Sequence, residues 1–259
     1  MTLTSGAEPQ TQNDEARSLW DAWRADPDNV DLANDYACLL ARDGREAEAE
    51  RILDVVLEAR PDDPKTLNNR GYLALRHGDI PVALRLLERA VGARPDDPEA
   101  LSNLGSALAR DGRHEESLER FRQASEVAPR AAVHRNNLGV ALRALGRVDE
   151  AVDAFREALA LDPENASAAN NLGCAFRVAG RVDEAAEAFR RARRSDPDCH
   201  AASRNLAILL GESGRADEAR AVFADLLARA GAGPFADEAR RALDKALAGN
   251  SLGDGGGKR

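Results

Sequence analysis

Asparagine recurs along this chain at a fixed interval: Asn69, Asn103, Asn137, Asn171 and Asn205 stand 34 residues apart. A second amide, Asn68, Asn136 or Asn170, precedes three of them. A primary amide carries one acceptor and two donors, so each can pair with both halves of a peptide bond. That chemistry grips a backbone without reading its side chains. A second recurrence adds charge. Arg42, Arg76 and Arg110 keep the same interval, and Arg143 and Arg177 follow it one residue out of phase. One residue of a helix turns through about 100°, so these arginines do not form a straight line. A guanidinium suits a carboxylate, which it can hold through two parallel N–H donors.

The residue types that catalysis or metal binding needs are scattered. His77, His114, His134 and His200 fall at unrelated places and form no HExxH pair. Cys199 and His200 are adjacent, but no second ligand pair completes a zinc site. Cys38, Cys174 and Cys199 give an odd count without CxxC spacing, which reads as free thiols in a reducing cytoplasm. No GxxxxGK[ST] or GxGxxG loop is present to cradle a phosphate. The expectation is a protein without catalytic residues, cofactor or bound metal.

The whole chain obeys the interval that places the asparagines. Six units begin at Val30, Pro64, Pro98, Ala132, Ala166 and His200, with no insertion between them. Position 15 of each is glycine, from Gly44 to Gly214, and position 32 is proline in the first five, from Pro61 to Pro197. Position 8 is Ala or Gly, position 20 Ala or Ser, and position 24 Leu or Phe. Glycine at 15 can take the left-handed conformation that ends one helix. Acids such as Asp149 and Glu150 then suit the positive end of a second helix, and Pro81 suits a first turn. Proline at 32 stops that helix, and Asp63 and Asp97 cap the next. Each unit is therefore expected to be a helix–turn–helix hairpin, and hairpins bury their apolar faces by stacking.

Leu-Gly at 7–8, Ala at 20, Phe at 24 and Pro at 32 together resemble the tetratricopeptide repeat. The resemblance covers residues 30–233 and implies an all-α fold, an α-solenoid of stacked hairpins coiling into a right-handed superhelix with a concave face. In that family positions 2, 5, 6, 9, 12 and 13 line the groove. The resemblance thus assigns Asn69, Asn103, Asn137, Asn171, Asn205, Asn68, Asn136 and Asn170 to a groove ladder like that of O-linked N-acetylglucosamine transferase. It places Arg76, Arg110, Arg143 and Arg177 on the same surface, as a preference for acidic side chains or a C-terminal carboxylate. Asparagine at position 6 is also common in the repeat itself, where a solvated or locally bonded amide would need no ligand. The basic clamp of chaperone-binding relatives is missing, since Lys65 alone is basic at position 2.

Composition narrows the partner. A net charge of −9 disfavours nucleic acid, which needs a basic face. No run of 18 apolar residues offers a membrane span, and the first residues lack the pattern of a secretory signal. Lysine occurs only at 65, 245 and 258, an imbalance that reads as GC-rich bacterial codon usage. Residues 1–13 and 250–259 are expected to be disordered, 14–29 to form a capping helix through Leu19, Trp20 and Trp23, and 234–249 a second cap. Arg70 stands where a core leucine is expected and should reach solvent, and Gly231 replaces the sixth proline. Arg113, Arg147, Arg181 and Arg215 should be solvated in exposed turns. The function expected is an adaptor holding an extended peptide. The alternative is an assembly subunit, homo-oligomeric or docked through its ends or convex face.

Overall fold

A computed structural model describes residues 14–230 and 234–251. The expectations for residues 1–13, 252–259 and Gly231 fall outside the described residues. Every regular element among the described residues is an α-helix, and no strand occurs among them. No described helix is long and apolar enough to cross a membrane.

The chain divides into two compact units, Met1–Val127 and Ala128–Arg259. The first holds α1 (Asp14–Ala25), α2 (Val30–Arg42), α3 (Glu46–Ala59), α4 (Pro64–His77), α5 (Ile80–Ala93), α6 (Pro98–Arg110) and α7 (His114–Val127). Its hairpins are α2–α3, α4–α5 and α6–α7, and α2, α4 and α6 also touch in succession. The second holds α8 (Ala132–Ala144), α9 (Val148–Leu161), α10 (Ala166–Val178), α11 (Val182–Ser195), α12 (His200–Glu212), α13 (Ala216–Ala230) and α14 (Pro234–Ser251). There the hairpins are α8–α9, α10–α11 and α12–α13, with α8, α10 and α12 in succession. Within each unit the first helices of the hairpins thus share one face. Helix α14 runs through Asn250 to Ser251, slightly past the expected end at 249, as helix ends commonly do.

The sequence columns act as their chemistry requires. Gly78 has φ 81° and Gly180 φ 73°, the left-handed region that a side chain would strain. The amide one residue after each such glycine closes the turn: Asp79 N–H donates to Ala74 O at 2.9 Å, and Arg181 N–H to Phe176 O at 2.9 Å. Asp63 accepts from Thr66 N–H, Asp97 from Glu99 and Ala100, and Asn29 and Asn165 cap α2 and α10 in the same way. Each cap satisfies donors that the first turn leaves open.

Close approach of the paired helices depends on position 8. A Cβ on Gly139 would sit 2.6 Å from the Phe155 ring, and one on Gly173 2.5 Å from the Phe189 ring. Both rings are fully buried. In the last hairpin Ala207 replaces the glycine, and its Phe223 is slightly more open, at 8% exposure. At the beginning of the chain Trp20 packs against Trp23 and Tyr36, both at 5.7 Å between ring centroids. Helix α14 lies on α12 and α13 and buries Ala239 and Leu243.

Two expectations are corrected. Arg70 does not reach solvent: its Nε–H donates to Asp54 at 2.8 Å and Nη1 to Glu50 at 2.9 Å, and the side chain is 18% exposed. Its stem covers α3 while the guanidinium finds carboxylates there. Nor are the turn arginines merely solvated. Arg113, Arg147 and Arg215 each form paired hydrogen bonds with the glutamate three residues on, and Arg45 with Glu48 does the same. Arg181 and Glu184 complete the set. The arginine precedes the first turn of the second helix and the glutamate lies within it, so geometry brings them together.

These arginine bonds hold the carboxyls of Glu48, Glu116, Glu184 and Glu218 below the ordinary glutamate range. A folded value below the unfolded one contributes stability that is fully present above the unfolded pKa of ~4.3 and fades as pH falls through the lowered values. Replacing all four with glutamine should therefore flatten the loss of stability on acidification, measured by urea unfolding at stepped pH. Parallel curves for both proteins would mean that the pairs contribute nothing. Separately, Gly173→Ala should destabilise by about 1–3 kcal/mol through overpacking, with partial recovery on adding Phe189→Leu. Chemical denaturation checks both variants, and an unchanged midpoint for Gly173→Ala would contradict the packing described.

Candidate functional site

The shared face of the first helices carries the amides, and the structure divides them into two roles. At the inner place of each pair, Asn34 is fully buried and Asn68 is buried, with Asn136 and Asn170 half-buried. At the outer place, Asn69, Asn103, Asn137, Asn171 and Asn205 are all half-buried. The outer amide of one hairpin donates to the inner amide of the hairpin before it. Asn69 Nδ2 bonds Asn34 Oδ1 at 2.8 Å, and Asn103 bonds Asn68 at 2.9 Å in the first unit. In the second unit, Asn171 bonds Asn136 and Asn205 bonds Asn170, both at 2.9 Å. Asn34 itself donates to Val30 O and Thr66 Oγ1, each at 2.9 Å. These bonds stitch neighbouring hairpins. Asn69, Asn103 and Asn171 each spend one N–H in this way and keep the oxygen and a second N–H, whereas Asn205 Nδ2 also reaches Cys174 Sγ at 3.5 Å. Asn137 forms no side-chain hydrogen bond among the described residues and keeps all of its capacity.

The arginines are less available than their recurrence suggests. Arg42 pairs with Glu15 at 3.1 Å, Arg76 with Glu46 at 2.7 Å and Arg177 with Glu212 at 3.6 Å. Arg110 Nη1 donates to Leu75 O at 2.6 Å, a carbonyl in the last turn of α4 that also accepts from Gly78 N–H at 3.2 Å. Arg143 differs: its Nε–H is buried without a hydrogen-bond partner.

Models of the tetratricopeptide repeat match residues 10–66, 68–119, 96–164, 130–198 and 170–237. The chain belongs to the tetratricopeptide repeat family. No curated protein sequence matches it significantly. Among solved structures, MamA is 25% identical with a TM-score of 0.54, over 61% of this chain and 93% of its own. YrrB, described as a TPR protein with an unusual peptide-binding site, is 21% identical with a TM-score of 0.55, over 72% and 96%. PilW, a type IV pilus biogenesis factor, is 18% identical with a TM-score of 0.73, over 82% and 98%.

The repeat places further side chains beside the amides that recurrence alone does not single out. In the first unit of this tetratricopeptide repeat protein a hollow of about 330 Å³ is lined by Cys38, Asn69, Tyr72 and Leu73, with Arg42 and Arg76 at its edge. Tyr72 is 44% exposed, so its ring offers both an apolar surface and a hydroxyl. Position 9 supplies Cys38, Tyr72 and Cys174, and only the family's groove positions signal them in the sequence. Burial pushes both thiols above their ordinary value; at Cys174 the charges of Arg143, Arg177 and Arg204 oppose it. A larger hollow of about 690 Å³ in the second unit lies among α9, α10 and α11, floored by Leu159, Leu172 and Phe176. Arg156 and Arg181 lie over its Phe176 ring, at 5.6 and 4.5 Å from the centroid.

The stitching has a measurable consequence. Asn170→Ala and Asn205→Ala should each lower stability by about 1 kcal/mol, the net worth of a half-buried hydrogen bond. Their double variant should cost less than the sum, because one bond is shared. Urea denaturation measures the cycle, and strict additivity would deny the bond.

Proposed function

We propose that this protein is a non-catalytic adaptor that holds an extended segment of a partner polypeptide along the first-helix faces. Tetratricopeptide repeats are protein-interaction modules, and the observation carrying the finer reading is the row of half-buried outer amides with unspent donors and acceptors. Packed helices lie about 8–10 Å apart, whereas an extended peptide advances about 3.3 Å per residue. Successive amides would therefore meet roughly every third peptide bond of a bound segment. Stitching supports the reading further. Amides held by their inner partners lose little freedom on binding, and such preorganisation favours affinity. The apolar hollow beside Tyr72 would receive a side chain of the segment. YrrB's description as a peptide-binding repeat protein agrees in kind. Free Cys38, Cys174 and Cys199 fit a reducing cytoplasm.

Random displayed peptides selected on the intact protein provide the test. For peptides so selected, Asn137→Ala should weaken binding about fivefold, since one amide contact is worth ~1 kcal/mol, and should leave the thermal midpoint unchanged. Tyr72→Ala should weaken those seated near the hollow. Selected peptides that bind every face variant as tightly as the parent would overturn the reading.

A further inference from the structure

We infer that the second-helix face of the unit Ala128–Arg259 carries a site for a phosphoryl group on a partner polypeptide, formed by Arg190, Arg193 and Arg194 of α11. The site lies apart from the amide row and does not rest on it. Positions i, i+3 and i+4 of a helix share one face, and these three side chains line a hollow of about 280 Å³. All three reach water, with side-chain exposures of 35%, 24% and 62%. Their present partners leave donors over. Arg193 Nη2 bonds Asp225 and Arg194 Nη2 bonds Glu187, both at 2.8 Å, and a guanidinium has further N–H groups to give. Asp225 is shared with Arg229. Arg190 forms no hydrogen bond among the described residues. It lies 3.5 Å from Glu218, whose two oxygens Arg215 already holds at 2.7 Å.

Three guanidinium groups around one hollow suit a tetrahedral dianion with three acceptor oxygens, whereas a carboxylate fills a single fork. A second observation selects the carrier. The arginine hollow adjoins, at Arg194, the larger one floored by Leu159, Leu172 and Phe176. The small Ala160 and Ala188 also line that larger hollow and leave it open. Free phosphate would leave the apolar floor uncovered, and a flat lipid surface would not enter it. A polypeptide with a bulky apolar side chain beside its phosphorylated residue fills both hollows at once.

A degenerate library of peptides, blocked at both ends and centred on phosphoserine, tests the site on the full chain, beside libraries centred on serine and on glutamate. Retained phosphoserine peptides should be enriched in Leu, Phe or Trp near the phosphate and bind about tenfold more tightly than their serine or glutamate forms. Arg190→Gln should weaken them about tenfold, the worth of a hydrogen bond to a charged group. The same variant should keep the parent's helicity, because Arg190 lacks a close partner. Asn137→Ala should bind them as the parent does. Equal retention of the glutamate library, or unchanged binding by Arg190→Gln, overturns the phosphoryl assignment. Loss of binding in Asn137→Ala puts the peptides on the first-helix face and removes the site while the groove stands. Inorganic phosphate that binds as tightly as the retained peptides rules out the polypeptide carrier. So does binding to vesicles of equal parts phosphatidylcholine and phosphatidylglycerol when no library is retained, which assigns the arginines to a membrane surface. No response to any probe leaves no site at all.

Discussion

Everything in this protein depends on how closely two helices of one hairpin can approach. The contact of Gly173 with Phe189 sets that distance, and Gly139 with Phe155 repeats it. Phe189 ring atoms lie 2.5–2.9 Å from where a Gly173 methyl group would sit, so the helices meet at this spacing only over a bare backbone. Once the register is set, the outward-facing positions of the first helix follow. Asn171 thus stands in reach of Asn136, and Asn205 in reach of Asn170. A slip of one residue would turn the amides by about 100° and dissolve the row. The face that holds the amides is a consequence of the packing that holds the core.

The same coupling explains an economy in the structure. Inner amides such as Asn34 and Asn68 are buried and occupied with their neighbours, so they behave as part of the core. Asn69, Asn103 and Asn171 divide themselves, giving one N–H to the stack and keeping the rest for the surface. Stability and recognition share one residue type at adjacent positions. The arginines follow a related rule. Most stripe members pair with a carboxylate, as Arg76 does with Glu46, or share a helix carbonyl, as Arg110 does with Leu75 O, whereas Arg143 Nε is buried without a partner.

The hairpins, their turns and their caps were legible in the sequence because each rests on a residue with few substitutes. Only glycine accepts the turn conformation easily at Gly78, and only a small residue fits opposite Phe155. Two things were not legible. Which amide donates to which was hidden, since Asn68 and Asn69 look alike in sequence and differ only in depth. The partners of Arg70 were hidden as well: Glu50 and Asp54 lie one hairpin back, and nothing local announces them. Paired arginines in the turns, such as Arg113 with Glu116, carry a spacing that sequence reasoning could have used. The hollow beside Tyr72 needed two hairpins in place before it existed.

The central claim is that the working surface is the face built from first helices. Hydrogen–deuterium exchange of the intact chain, with and without a selected peptide, tests it most directly. The account predicts that added protection falls on the first helices of the unit that binds, α4 and α6 or α8, α10 and α12, with α5, α7, α9 and α11 exchanging as before. Protection confined to those second helices or to α14 would contradict it.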